Sequence, residues 1–235
     1  MKHSIIKFIQ NLPPVHPAGR WFVVLFFFMA LFLDQFSTFF GWVGLIATAW
    51  CAYFFRDPER VITKREGAVV SPADGKITAI REVTPPTELN LGSDKLLKVS
   101  IFLNVFDVHI NRVPVEGKIT ARHYIPGKFL NAELDKASEK NERMLLTVKR
   151  PDGVQIGFVQ IAGLVARRIV CWAREGQSFE RGERFGLIRF GSRMDVYLPK
   201  TADIRVELGQ KVMAGETVLA DVAEKKKATK PAAKK

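Results

Sequence analysis

Conventional catalytic equipment is scarce in this chain. Its 235 residues include only two cysteines and four histidines. Cys51 falls within an apolar segment and Cys171 in a Val-Cys-Trp run, so a reduced, buried role is the simplest reading of each. Neither belongs to a cluster with metal-ligand spacing, and no metal is expected. No small-residue cleavage pattern follows the N-terminal apolar stretch, which is also too long for a secretory leader. No lysine stands in a recognisable pyridoxal-phosphate context.

What the chain has in excess is positive charge. A formal net charge of +12 and a pI near 9.9 favour an anionic partner, either nucleic acid or an acidic lipid surface. Part of the excess lies in Lys225, Lys226, Lys227, Lys230, Lys234 and Lys235, which alternate with Ala, Thr and Pro as a solvated, disordered tail would. Beside a bilayer each basic residue would gain roughly 1 kcal/mol from anionic lipid. No aromatics interleave with these lysines, so a base-stacking platform lacks its parts and no nucleic-acid partner is expected. Lipid is the better reading.

From Trp21 to Phe55 the chain is almost wholly apolar, broken near its middle by Asp34, Gln35, Ser37 and Thr38. Each half falls somewhat short of the roughly 20 residues that span a bilayer comfortably. A tight hairpin crossing twice and a re-entrant hairpin both fit. Lys2, Lys7 and Arg20 precede the segment, and Arg56, Arg60, Lys64 and Arg65 follow it. Basic residues on both flanks keep both ends on the cytoplasmic side of the inner membrane, which a single span cannot do. A buried helix of a soluble protein fits less well, because Trp21, Trp42, Trp50 and Tyr53 sit near the expected interfaces. The expected organisation is a leader (1–19), a membrane helical hairpin (20–56), a β-rich domain (57–222) and a disordered basic tail (223–235).

After Pro58 short β-branched or alternating runs predict strands at 68–70, 76–80, 97–103, 118–122, 144–148, 155–161 and 169–172. Asp152-Gly153 is a hairpin turn signal, and Leu130 to Glu142 reads as a polar loop or short helix. The segment Val206 to Ala220 resembles the closing strands of biotinyl and lipoyl carrier domains, and Ser71 to Ile77 their opening turn. Gly209 and Gly215 would supply positive-φ turns. The expected fold class is therefore mainly β, with barrel-sandwich elements in a β-rich domain preceded by an apolar helical hairpin.

Between two strand-like runs stands Gly191-Ser192. A serine after a glycine is an ordinary turn dipeptide, but its hydroxyl can also add to the preceding carbonyl. The acyl group then shifts from nitrogen to oxygen, and elimination with loss of ammonia leaves a pyruvoyl group at the new N-terminus. The surrounding motifs make that reading specific. Phe54-Phe55-Arg56-Asp57-Pro58-Glu59-Arg60, Val70-Ser71-Pro72-Ala73-Asp74-Gly75-Lys76-Ile77, Phe102 to Pro114 with Asp107-Val108-His109, and Arg184 to Ser192 follow in order. In order and spacing they resemble the short, pyruvoyl-dependent form of the phosphatidylserine decarboxylase proenzymes, over about residues 18 to 222.

The resemblance implies a self-processed, membrane-attached carboxy-lyase that converts phosphatidylserine to phosphatidylethanolamine and CO2. The amine of the substrate would form a Schiff base with a pyruvoyl cofactor made from Ser192. It implies cleavage at Gly191–Ser192 into fragments 1–191 and 192–235 that remain together as a heterodimer. By mass proportion the smaller is roughly 5 kDa, too little to hold a fold alone. His109 matches the family's decarboxylation histidine and is the expected general acid. Asp74 matches the carboxylate that orients the base of self-cleavage. Longer members carry a second histidine where this chain has Arg112, so the expectation is that His109 serves both steps, polarised by Asp74. Arg112, Arg167, Arg168 and Arg193 are candidates for holding substrate phosphate or carboxylate. A serine phospholipid with another backbone, archaetidylserine-like, is an alternative substrate. A non-enzymatic, membrane-tethered barrel-sandwich module is the rival from another class, though Ser192 stands where a carrier would need a lysine. The oligomeric state stays open, a homo-oligomer included.

Overall fold

A computed structural model describes residues 13–130, 140–164, 168–189 and 191–223. The basic tail and most of the polar segment after Leu130 lie outside the described residues, as does the start of the leader. The apolar N-terminal segment forms two helices, α1 (Pro17–Asp34) and α2 (Thr38–Phe54), joined by the polar turn Gln35–Ser37. Pro17 suits the first helical position, where no N–H is needed, and His16 Nδ1 accepts the Ala18 amide at 3.2 Å. The helices pack through small residues. A Cβ on Gly44 would fall 2.6 Å from the Ala30 Cα, so bare backbone is what lets the two helices meet. Their outer faces stay uncovered, with Trp21 82%, Phe36 72%, Phe39 68% and Ile46 68% exposed.

Fourteen strands follow among the described residues. They are β1 (Ala68–Val70), β2 (Gly75–Val83), β3 (Leu96–Leu103), β4 (Ile110–Arg112), β5 (Gly117–Ile125), β6 (Arg143–Lys149) and β7 (Gln155–Ala162). Then come β8 (Arg168–Cys171), β9 (Ser178–Phe179), β10 (Arg184–Arg189), β11 (Ser192–Leu198), β12 (Asp203–Ile204), β13 (Lys211–Val212) and β14 (Val218–Asp221). The protein is mainly β, with an N-terminal apolar helix pair. All seven predicted strands are present, and Asp152-Gly153 turns β6 into β7, the Asp152 carboxylate accepting the Val154 amide at 3.1 Å.

The main sheet runs β13-β2-β3-β11-β7-β6-β5-β9, and two three-stranded sheets run β4-β10-β8 and β1-β14-β12, with every pairing antiparallel. The carrier-like segments do meet across the chain, β13 pairing with β2 and β14 with β1. Gly209 and Gly215 have φ of +85° and +79° as expected. The described ladders are open sheets, and the barrel-sandwich expectation reaches only as far as this long-range pairing.

Most informative for the site is β11. It lies at the centre of the main sheet, zipped along its length to β3 and β7. Met194, Val196 and Leu198 point into the main core with Phe158 and Phe185, and Tyr197 points to a smaller cluster on the opposite face with Leu89 and Leu145. Ser192 opens this strand, opposite Leu103 and Ala162, and is fully buried.

Candidate active site

Alternation along β11 places Ser192 on the main-core side and Arg193 on the other. Ahead of them Gly191 has φ +65°, the left-handed region that an L side chain enters at a cost of roughly 1–2 kcal/mol. That turn breaks the run from β10 to β11 and aims the Gly191 N–H at His109 Nε2, 3.3 Å away. A Cβ on Gly191 would meet nothing nearer than Val105 Cγ1 at 4.0 Å, so there is open space beside this residue. The Ser192 Oγ is buried and has no hydrogen-bond partner among the described residues. A buried hydroxyl without a partner costs stability, and such atoms call for a chemical reason.

His109 immediately precedes β4 and is 2% exposed. Its Nδ1 lies 2.9 Å from the Asp107 carbonyl oxygen, which can only accept, so Nδ1 carries the proton. Nε2 is then the acceptor, in agreement with the Gly191 amide pointing at it. Two separate contacts thus select one tautomer. Burial pushes the imidazole down to about 4, against the Asp107 hydrogen bond, and the Arg56 charge adds to the fall. The ring of Phe54, at the end of α2, covers it with centroids 4.2 Å apart.

Phe54 belongs to the motif that links the hairpin to the sheets, and nearly every residue of that strap is engaged. Phe55 packs on Phe22 and Gly19, and Arg56 donates to the Phe106 carbonyl at 2.8 Å. Asp57 and Glu59 both receive Arg184, at 2.8 and 2.9 Å, while the Pro58 carbonyl accepts Arg112 at 3.2 Å. Arg60 pairs with Asp74 at 2.7 Å. The strap therefore fixes the position of the helices relative to the loop that carries His109.

Asp74 corrects one expectation. Its carboxylate oxygens accept Arg60 and the Ala214 amide (2.8 Å), and no hydrogen bond joins it to His109. Burial raises its pKa while the Ala214 amide and Arg60, 2.7 Å away, pull it back. Asp74 is near enough to Asp107 that its charge, after burial, helps raise that carboxyl. It thus reaches His109 only through the loop 104–107, and direct polarisation is not what the structure shows.

The three described arginines of the four candidates do not share a surface. Arg112 is buried, its terminal nitrogens donating to the Gly182 and Pro58 carbonyls at 2.9 and 3.2 Å. Arg193 is buried on the far side of β11, paired to Asp195 at 2.9 Å, with Lys98 3.7 Å from the same carboxylate. Arg168 is exposed on β8, and Arg167 lies outside the described residues. Sequence reasoning missed Phe54, the Asp107 carbonyl and Arg60 as neighbours of the site. It also missed the buried couple Gln160–Asn111 (2.8 Å), whose remaining amide donor and acceptor have no partner among the described residues. Only Asn111, two residues beyond His109 on a short strand, carried a usable signal.

A Gly-Ser bond at the head of a central strand, its serine buried and its glycine amide aimed at a neutral histidine, defines a class of mainly β protein that also carries an apolar helix pair. Comparison with known proteins makes the class particular. The phosphatidylserine decarboxylase family model matches residues 47–220, and the chain belongs to that family. It is 54% identical over 211 residues to the phosphatidylserine decarboxylase proenzyme of Ruegeria pomeroyi, covering 90% of this chain and 96% of that one.

Proposed function

We propose that this chain decarboxylates phosphatidylserine to phosphatidylethanolamine at a membrane, with a pyruvoyl group made from its own Ser192. The observation that carries this reading is the pairing of the unpartnered, buried Ser192 Oγ with a left-handed Gly191 held by His109 Nε2. In self-cleavage the Ser192 Oγ adds to the Gly191 carbonyl carbon, the Gly191–Ser192 C–N bond breaks, and the freed nitrogen takes the hydroxyl proton. His109, neutral at pH 7, is the base that moves that proton through Nε2. Removal of the Ser192 Cα proton then expels the Gly191 carboxylate, and one water replaces the nitrogen, which leaves as ammonia.

The residues present fit such a group: a fully buried position 192, open space beside Gly191 and a proton carrier next to both. When formed, the group supplies an electrophilic ketone that condenses with the substrate amine and draws off the electrons left at Cα by departing CO2. With Nδ1–H kept on the Asp107 carbonyl, His109 Nε2 takes up a proton and passes it to that carbon, returning to the neutral ring. Asp107 fixes the ring through Nδ1, and Phe54 excludes water from its face. Asp74 acts as a positioning residue, through Arg60 and the loop 104–107. The ladders of β11 with β3 and β7 keep fragments 1–191 and 192–235 together as a heterodimer after cleavage.

Membrane attachment rests on the exposed apolar helix pair, a patch too large for water. α1, with 18 residues and mean hydropathy 1.6, is long and apolar enough to cross a bilayer, and α2 is one residue shorter. We place segment 20–56 in the inner membrane and the sheets of segment 57–222 on its cytoplasmic side. The test is CO2 release from carboxyl-labelled phosphatidylserine in mixed micelles. Wild-type protein is expected to release label and Ser192→Ala to release none; label released equally by both sinks the reading. Ether-linked serine lipid in the same assay settles the choice of backbone.

A further inference from the structure

Arg168 and Arg189 stand directly opposite one another on the antiparallel pair β8–β10, so their side chains share a face. Like charges in that arrangement repel, and such pairs are destabilising unless something lies between them. Neither arginine makes an ion pair or hydrogen bond with a described residue, and the Arg189 Nε is buried without a partner. Burial, with the facing Arg168 charge, lowers the pKa of the Arg189 guanidinium, a penalty that a bound anion would lift. Two cations have been brought together without an anionic partner among the described residues.

Their surroundings say which anion. The face of this small sheet that bears Val108, Ile110, Leu187 and Val170 packs against Ala18 at the start of α1. Arg189 lies over the ring of Phe22, 5.0 Å from its centroid, beside the exposed Trp21. Aromatic residues at the end of an apolar helix mark the depth of lipid headgroups. Arg189 is also close in the chain to the reactive bond, and the amide of its neighbour Ile188 donates to the His109 carbonyl at 3.4 Å.

We propose that Arg168 and Arg189 form one subsite that holds the phosphodiester of the glycerophospholipid substrate. This rests on the decarboxylase reading above and names the substrate group held beside that site. The carboxylate is the poorer ligand for the pair. It loses its charge as CO2 forms, so cations gripping it would stabilise the ground state over the transition state. The phosphodiester keeps its charge throughout and is joined to the reacting carbon by one oxygen and one methylene. Guanidinium pairs match its geometry.

The test uses full-length enzyme in phosphatidylserine mixed micelles. Arg189→Ala and Arg168→Ala are each expected to be cleaved at position 192 as wild type is. Each should raise KM about tenfold or more, the loss of one charge-assisted contact, with kcat nearly unchanged. Phosphatidylserine methyl ester keeps the phosphodiester and masks the carboxylate. Its inhibition constant should rise by the same factor as KM. An inhibition constant that stays fixed while KM rises assigns the pair to the carboxylate and overturns the proposal. So does an unchanged KM, whether or not inhibition by inorganic phosphate is lost. Binding to phosphatidylglycerol vesicles should equal wild type; a loss there that accounts for the whole KM change replaces the subsite with surface attraction. If Arg189→Ala remains uncleaved, Arg168→Ala, at an exposed position, decides alone. Cleavage and CO2 release by the wild type test the underlying reading separately.

Discussion

The Phe54 ring closes over the His109 imidazole at 4.2 Å, so the last turn of an apolar helix is part of the wall around that histidine. Both side chains are almost fully buried. Phe54→Ala should cost about 3 kcal/mol in stability from the cavity. It should also admit water to the ring and move the His109 pKa up from about 4 toward its ordinary value. In a pH profile of turnover, the limb governed by His109 then shifts to higher pH. A profile unchanged in shape would separate the helix end from the chemistry.

The buried histidine also makes stability depend on pH. Because its folded pKa is depressed, the unfolded chain takes up a proton between pH 6.5 and about 4 that the folded chain refuses. Stability contributed by the neutral ring is therefore full above pH 6.5 and declines as pH falls through that window, by about 3 kcal/mol in all. Thermal unfolding of wild type and His109→Gln over this range checks it. The wild type should lose stability more steeply with acid, and parallel curves would refute the assignment. The same variant should fail to cleave; cleavage at normal rate would remove the dual role of His109.

Asp74 and Arg60 should behave as one unit. Removing either leaves a buried charge unpaired, at about 3 kcal/mol, and the double variant Arg60→Met/Asp74→Asn should be milder than the sum. Self-cleavage should slow similarly in the two single variants. If Asp74→Asn cleaves far more slowly than Arg60→Met at matched stability, Asp74 acts on the base more directly than the contacts show.

Gly191→Ala tests the turn. There is room for the methyl, so the cost is the left-handed backbone, roughly 1–2 kcal/mol. If that conformation is what presents the scissile carbonyl, cleavage measured by gel should slow about tenfold or more, while thermal stability falls only by the few degrees that the backbone cost implies. Cleavage at the wild-type rate would show that the turn serves folding alone.

The seven predicted strands were legible because their β-branched runs alternate and end in Gly, Pro or Asp-Gly, and both helices because the apolar run from Trp21 to Phe55 is broken chiefly at the turn. The candidates Gly191-Ser192 and His109, which the structure brings into contact, could be named from motif order. What connects them could not. The Asp107 carbonyl is backbone and leaves no trace in residue identity, and Phe54 looks like any residue of an apolar run. The partner of Asp74 is Arg60, fourteen residues earlier, where charge spacing alone gives no direction. Arg112 and Arg193 were misleading for the same reason: an arginine's identity does not say whether its fork meets solvent, a carbonyl or a buried carboxylate.

The most direct measurement is the intact mass of the purified full-length chain beside Ser192→Ala. The account predicts two fragments for the wild type, parted between Gly191 and Ser192. The smaller should lack a free N-terminal amine and react with phenylhydrazine, and the variant should stay a single chain without turnover. An active wild type of uncut mass, or a variant that turns over normally, would contradict it.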